Sequence, residues 1–517
     1  MRYLHTLLFA IYPILFYFNN NKNEIYFSNI FIPLLYSLLF AAITFVIIYR
    51  FIKKKENTGV LTSIILLLFF SYGHLISFLG KSFDKLFGWD VPYRNIIIGL
   101  WLFLVLLSFE RSKRRSFAKV NPALNFISIF LILFLLLDIF KNPKLIQYTN
   151  RSNNWTDEQQ TEVRKTPDAD AEDLRDIYFI VPDRYPSSEV LSKQYGFDNS
   201  NFINYLSEKG FFIADKSHSV YPTTTMSLGS ELNMKFLDEF TTQYGTETSD
   251  FKPVVSFLRN NEVGKLLKER GYTYINLGSW WHVTQRFDIA DININSKGLA
   301  NDEFIIRFLE TTMFTEFADT LLPEEYRLNH RNEQRKTADF QSEKIKEVVL
   351  MQSPKFVFTH LILPHPPYVF DKDCNYLKES FTDSRKEIDN YKDQIQCANK
   401  KLKDMVDFIL ENSKSDPIII LQSDEGPHPI KSPLPKDNDW KNADETALQE
   451  KFKIFNALYF PDIDQTSIPN DISPVNTFRF IFNTYFGENF EYLPNKTFIF
   501  SDQGHIFDYK EITGQLQ

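Results

Sequence analysis

PIIILQSDEGPHP occupies residues 417–429. Its first half is a short apolar run, as expected of a buried strand. Its second half sets two carboxylates, Asp424 and Glu425, side by side before Gly426 and Pro427. Adjacent like charges repel, and a purely structural strand end has little use for them. A cation held there would reverse that balance. The pattern of an apolar run ending in a polar group recurs. DIYFIVPD (176–183) ends at Asp183, and KFVFTHLILPH (355–365) carries His360 and ends at His365. Between such runs lie segments of helical period, including YKDQIQCANKKLKDMVDFILENS (391–413) and SPVNTFRFIFNTYFG (473–487). Alternating strands and helices predict an α/β fold with a largely parallel central sheet. Ligands of such sheets sit beyond the carboxyl ends of the strands, which is where Asp183, His365, Asp424 and Glu425 fall.

The first 141 residues read differently. Five stretches, 3–18, 29–52, 58–80, 95–109 and 122–140, are apolar, against the roughly 20 residues a full membrane span needs. NNNKNE follows the first stretch and offers no small-residue cleavage site, so that stretch reads as retained. Arg50, Lys53, Lys54 and Lys55 follow the second stretch, and Arg111, Lys113, Arg114, Arg115 and Lys119 follow the fourth. Basic loops stay on the cytoplasmic side. With an odd number of spans, everything after residue 141 lies outside the cytoplasm of a multi-pass plasma-membrane protein. The expected regions are a transmembrane helical domain of about five spans (1–141), a polar extracytoplasmic linker (142–175) and a globular domain (176–517).

A net charge of −8 and a pI near 5.7 argue against a nucleic-acid partner. Cys374 and Cys397 are the two cysteines, both in the outward part. An oxidising compartment with no competing thiol predicts a disulfide between them.

A hydroxyl nucleophile is offered by YPTTTMSLGSELN (221–233). Thr223–Thr225 follow Pro222 at a candidate helix start, and helix-start amides face anions such as phosphate. A threonine hydroxyl is a poor nucleophile near neutral pH unless a cation or base activates it. Asp183, Thr224, Asp424 and Glu425 form an all-oxygen set. That set suits one divalent ion, Mn²⁺ first, with Mg²⁺ or Ca²⁺ as alternatives.

Taken together, DIYFIVPDRY, YPTTTMSL, FTHLILPHPPY and IIILQSDEGP resemble the sulfatase-type branch of the alkaline phosphatase superfamily. With the apolar N-terminus, the arrangement is similar to membrane-anchored lipoteichoic acid synthases and phosphoethanolamine transferases. The resemblance implies a sulfatase-like α/β sandwich over about 180–510. It implies metal ligation by Asp183, Asp424 and Glu425, and a nucleophile, also touching the metal, at Thr224 with Thr225 second. It implies substrate binding by His365, which can also act in proton transfer. His360 and Arg286 are further substrate-binding candidates, and His282 and His428 are weaker ones. The sequence departs from the pattern in two places. Threonine stands where sulfatases carry the Cys or Ser they oxidise, and Glu425 stands where His is common. The implied function is phosphoryl-alcohol transfer or hydrolysis on a phosphodiester of a membrane lipid or envelope polymer. The alternatives are an atypical sulfuric ester hydrolase and an inactive envelope scaffold.

Overall fold

The computed structural model describes residues 3–21, 27–87, 93–140, 174–296, 303–436 and 439–516. The chain divides into two compact units, Met1–Ser152 with Asp302–Asn329, and Asn153–Asn301 with His330–Gln517. Most of the expected linker, 142–173, lies outside the described residues.

The first unit holds α1 (Leu4–Asn21), α2 (Phe31–Ile52), α3 (Lys55–Phe87), α4 (Tyr93–Arg114) and α5 (Val120–Phe140). Four helical stretches among the described residues are long and apolar enough to cross a membrane: Phe31–Ile52, Lys55–Leu79, Arg94–Arg114 and Val120–Phe140. About five were expected. The fifth, α1, has 18 residues, carries Pro13 and ends in three asparagines. It is nonetheless enclosed, with Phe9, Ala10, Ile14 and Phe18 buried. A polar network holds its start: His5 Nδ1 lies 2.7 Å from Ser63 Oγ and Nε2 lies 2.9 Å from Asn121 Oδ1.

Residues 302–329 interrupt the expected globular stretch 176–517 and pack with these helices instead. They form α7 (Glu303–Glu310) and α8 (Phe314–Leu321). Phe304, Ile305 and Phe308 share one buried cluster with Ile14, Phe18, Phe70 and Leu135.

The second unit is built on a seven-stranded sheet of order β2-β7-β6-β1-β5-β3-β4. The strands are β1 (Ile177–Pro182), β2 (Phe212–Ile213), β3 (Thr273–Leu277), β4 (Ile292–Ile294), β5 (Lys355–Leu361), β6 (Ile418–Gln422) and β7 (Asn456–Tyr459). Pairings among β4, β3, β5, β1 and β6 are parallel, while β7 and β2 close the edge antiparallel. A separate antiparallel pair joins β8 (Phe498–Phe500) to β9 (Tyr509–Glu511). The helices that bear on the site are α6 (Thr224–Glu231), α9 (His330–Val349), α10 (Glu387–Asn412) and α11 (Glu445–Phe452). Shorter helices are named by their ranges.

Every residue of β1, β5 and β6 is buried, because helices cover both faces of the sheet. The strand period of two divides the core. Tyr178, Ile180, Val357, Leu361, Ile419 and Leu421 pack on one face, and Ile177, Phe179, Phe356, Phe358, Ile418 and Ile420 on the other. The register sets Ile177 opposite both Phe356 and Ile418. The carboxyl ends of the three central strands therefore lie side by side, and their following residues meet in space.

Candidate metal centre and active site

Asp183 follows β1, and its N–H donates to Leu361 O at 2.9 Å. Asp424 follows β6 with Ser423 between them. His360 lies within β5, opposite Val181. One ligand atom from each of Asp183, His360 and Asp424 lies within 4.8 Å of the others, and all three residues are buried. His360 Nε2 lies 3.6 Å from Asp183 Oδ2.

These groups are poorly satisfied by the protein alone. Asp183 Oδ1, both Asp424 carboxylate oxygens and His360 Nε2 are buried without a hydrogen-bond partner. Burial pushes the Asp183 carboxyl well above its usual range, and the charge of Asp424 adds to that. Burial likewise raises Asp424, opposed first by the Thr224 hydroxyl facing it. Two carboxyls raised by burial, one of them further by its neighbour's charge, need a positive partner to remain ionised. The free atoms comprise carboxylate oxygens and one imidazole nitrogen. This donor set fits a divalent transition-metal ion.

A second layer orients His360. Its Nδ1 lies 2.8 Å from Thr284 Oγ1, which lies 2.8 Å from Ser279 Oγ. With Nδ1 engaged, Nε2 is the nitrogen left to face the carboxylates. Supporting bonds of this kind fix the tautomer of a metal-binding histidine. Burial lowers the His360 pKa to about 3, so the ring is neutral and able to ligate.

Thr224 is the first residue of α6 and is 7% exposed. The Thr223 N-cap is extended, and its side chain caps nothing. Thr225 is also buried, and the Thr223 hydroxyl has no partner. Ser227 is occupied, since its hydroxyl donates to Tyr221 O at 2.8 Å.

Glu425, expected as a third carboxylate ligand, is not one of the group Asp183, His360 and Asp424, and its Oε2 is buried without a hydrogen-bond partner. Its carboxylate lies 2.7 Å from Lys451 Nζ and 3.4 Å from Arg184 Nε. The chain bends at Asp424 and Glu425 after β6 ends, and Glu425 meets Lys451 of α11 while Asp424 groups with His360. Gly426 permits that approach. A Cβ there would lie 2.0 Å from Glu450 O.

His365 lies beyond β5, and its Nδ1 bonds to Pro366 O. Burial holds its pKa well below the usual value, helped by the Arg184 charge. Gln394 of α10 donates to Pro364 O at 3.1 Å and to His365 O at 2.8 Å, and accepts from Val369 N at 2.7 Å. Gln334 of α9 donates to Ile362 O at 2.7 Å and to His365 O at 2.5 Å. Arg286 ends the short helix His282–Gln285 that also carries Thr284, and its Nε lies 3.9 Å from Asp288 Oδ1. His428 stacks edge-on at 6.2 Å from Trp440. Cys374 and Cys397 form a disulfide that ties the loop after His365 to α10.

Sequence reasoning did not single out Thr284, Lys451, Gln394 or Glu231. Glu231 ends α6, fully buried, with Gln422 donating to it at 2.5 Å and Thr477 donating to Gln422 at 2.8 Å. Burial raises its carboxyl well above the usual range. A buried Glu at the end of the candidate nucleophile helix was the one available sequence signal.

No protein-family model matches the chain, and no curated protein matches it. Similar solved structures include the C-terminal periplasmic domain of the phosphoethanolamine transferase EptC from Campylobacter jejuni. It is 12% identical, with a TM-score of 0.36, covering 60% of this chain and 89% of that one. The corresponding Escherichia coli EptC domain, in complex with Zn, is 11% identical with a TM-score of 0.40, over 65% of this chain and 92% of that one. A 2-O GAG sulfatase is 13% identical with a TM-score of 0.39, over 63% of this chain and 78% of that one.

Proposed function

We propose that the chain is a membrane-anchored metalloenzyme that transfers or hydrolyses a phosphodiester, with Thr224 as nucleophile. The observation that carries the reading is the convergence of Asp183, His360 and Asp424, buried with unpartnered ligand atoms, beside the Thr224 hydroxyl. Asp183, His360 and Asp424 would hold the ion. The His360 nitrogen places Zn²⁺ beside Mn²⁺ as a candidate and weakens Ca²⁺ and Mg²⁺. A bound divalent ion supplies charge that lowers a hydroxyl pKa and neutralises phosphoryl oxygens.

The chain's own residues supply the rest. The start of α6 places the Thr224 oxygen at the first turn, where free amides suit an anionic group. The Thr224 hydroxyl lies near enough to Asp424 to oppose the rise that burial gives its carboxyl. His365 is neutral, and its Nδ1–H is given to Pro366 O, so Nε2 is left as an acceptor. His365 can therefore accept a hydrogen bond from the water or hydroxyl that releases the product and so position it. A donor lipid or envelope polymer in the same membrane suits the apolar helices, and an extracytoplasmic site suits the disulfide.

The test uses the full chain in detergent with Mn²⁺ or Zn²⁺ and a chromogenic phosphodiester. Thr224→Ala should lower turnover by on the order of 10³-fold or more while metal content stays unchanged. Thr224→Ser should retain measurable turnover. Unchanged turnover in Thr224→Ala removes Thr224 as the nucleophile.

A further inference from the structure

Between β4 and α9 the chain forms a helical hairpin, α7 then α8, that packs within the membrane-type unit rather than on the sheet. Its inner arm buries an apolar face, while Arg307 pairs with Glu303 and Glu310 on its other side. Tyr17 lies 5.2 Å from Phe304 and 5.9 Å from Phe308, and Phe70 lies 5.9 Å from Phe308, between ring centres.

The tip, Thr311–Met313, bonds directly to the backbone of α3. Gly73 N–H donates to Thr311 O at 3.0 Å, and Met313 N–H donates to Phe69 O at 3.0 Å. Phe69 and Gly73 are the acceptor and donor positions of a single helical turn. The approach requires glycine, since a Cβ at Gly73 would lie 2.6 Å from Glu310 O and 2.7 Å from Thr311 Cα. Met313 packs against Tyr72, Ile97 and Trp101, between α3 and α4. The tip hydroxyls are satisfied within the hairpin: Thr311 donates to Phe308 O at 2.7 Å and Thr312 to Leu309 O at 2.7 Å. Internal satisfaction of this kind is what a medium without water demands.

Gly73 lies inside the apolar stretch Lys55–Leu79. From Gly73 to Leu79 a helix rises about 9 Å, so the tip sits below the end of that stretch. The outer arm exposes large apolar side chains, with Phe317 at 52% and Leu321 at 75%. Val46, on the outside of α2, is similarly exposed at 66%. Large apolar side chains are thus exposed on α8 as they are on the candidate spans, with Glu316 of α8 paired to Arg94 of α4 at 3.3 Å.

We propose that Glu303–Leu321 is a re-entrant hairpin, wedged at its tip into α3 and turning the outer face of α8 to the acyl chains of the bilayer. The inference rests on the membrane reading of the first unit and does not use the catalytic proposal.

The full chain is reconstituted in phosphatidylcholine vesicles after labelling single cysteines with an environment-sensitive fluorophore. The sites are Phe317→Cys and Leu321→Cys, with Val46→Cys as the span control and Ser384→Cys as the exposed control. The native cysteines are paired and stay unlabelled. Lipids carrying a spin label on the acyl chain should quench Phe317→Cys and Leu321→Cys at least half as strongly as Val46→Cys, and leave Ser384→Cys unchanged. Adding Gly73→Leu should displace the tip and lower the quenching at 317 and 321 but not at 46. Quenching at 46 without quenching at 317 and 321 overturns the hairpin placement. Cross-linking between copies through Phe317→Cys without lipid quenching assigns the face to a second chain and also overturns it. Absence of quenching at 46 overturns the membrane placement of the unit, and the hairpin with it.

Discussion

At the scale of single residues, the candidate site depends on which side chain offers what to a cation. The Thr284 hydroxyl lies 2.8 Å from His360 Nδ1 and so decides which imidazole nitrogen is free. Thr284→Val should weaken metal binding by about 10–100-fold, as loss of such supporting bonds does. Titration of metal-stripped protein with Zn²⁺ or Mn²⁺ reads this directly, and an unchanged affinity would show that His360 is oriented by packing alone. Lys451 and Glu425 make the opposite test, because both are buried and paired at 2.7 Å. Removing Lys451 leaves the buried Glu425 carboxylate with only the more distant Arg184, 3.4 Å away. Lys451→Met should therefore cost about 3–5 kcal/mol. Adding Glu425→Gln should recover much of that loss, since no uncompensated charge remains. Chemical denaturation of the two variants, with metal content measured alongside, decides whether Glu425 is structural. If Glu425→Gln alone abolishes metal binding, the separation of Glu425 from the Asp183 cluster is wrong.

At the scale of elements, the site is assembled by strand ends and held by helices. Parallel pairing of β1 with β5 and β6 brings Asp183, His360 and Asp424 to one edge of the sheet. The loop after β5 would otherwise carry several buried, unpaired backbone groups. Gln394 and Gln334 satisfy them from α10 and α9. Gln394→Leu strands the carbonyl of Pro364 and the N–H of Val369, while His365 O keeps only the bond from Gln334. Each such buried orphan costs about 1–3 kcal/mol. The variant should keep its metal, lose stability and lower kcat more than it raises KM, because His365 is displaced rather than removed. Equal stability with unchanged kcat would show that the glutamine has no part in holding that loop.

At the scale of the whole molecule, two units of different solvent preference share one chain, and the second returns a segment to the first. The second unit carries its own covalent tie, Cys374–Cys397, across 23 residues. Closing a loop of that length contributes about 3 kcal/mol by restricting the unfolded chain. The double variant Cys374→Ala, Cys397→Ala should lose about that much, and reduction of the native protein should have the same effect on thermal unfolding. A loss confined to the double variant, with none on reduction, would mean that the bond does not form.

The sequence by itself determined the strand cores and the residues that end them. Uninterrupted apolar runs such as IYFIVP and IIILQ can be buried only where helices cover both faces, and a polar residue at their end must leave that core. Asp183 and Asp424 were legible for that reason. So were the apolar helices, because span length is a matter of composition and count. Strand order and side-chain direction were decided only by the tertiary structure. Asp424 and Glu425 look equivalent on paper, yet the chain bends where they sit, and only the position of Lys451 shows where Glu425 goes. His360 read as a substrate-binding candidate because its register against Val181 was not available. Residues 303–321 read as part of the globular domain because their partners, Phe69 and Gly73, lie more than two hundred positions earlier. Local pattern records which residues must leave water, and long-range packing alone records what they meet.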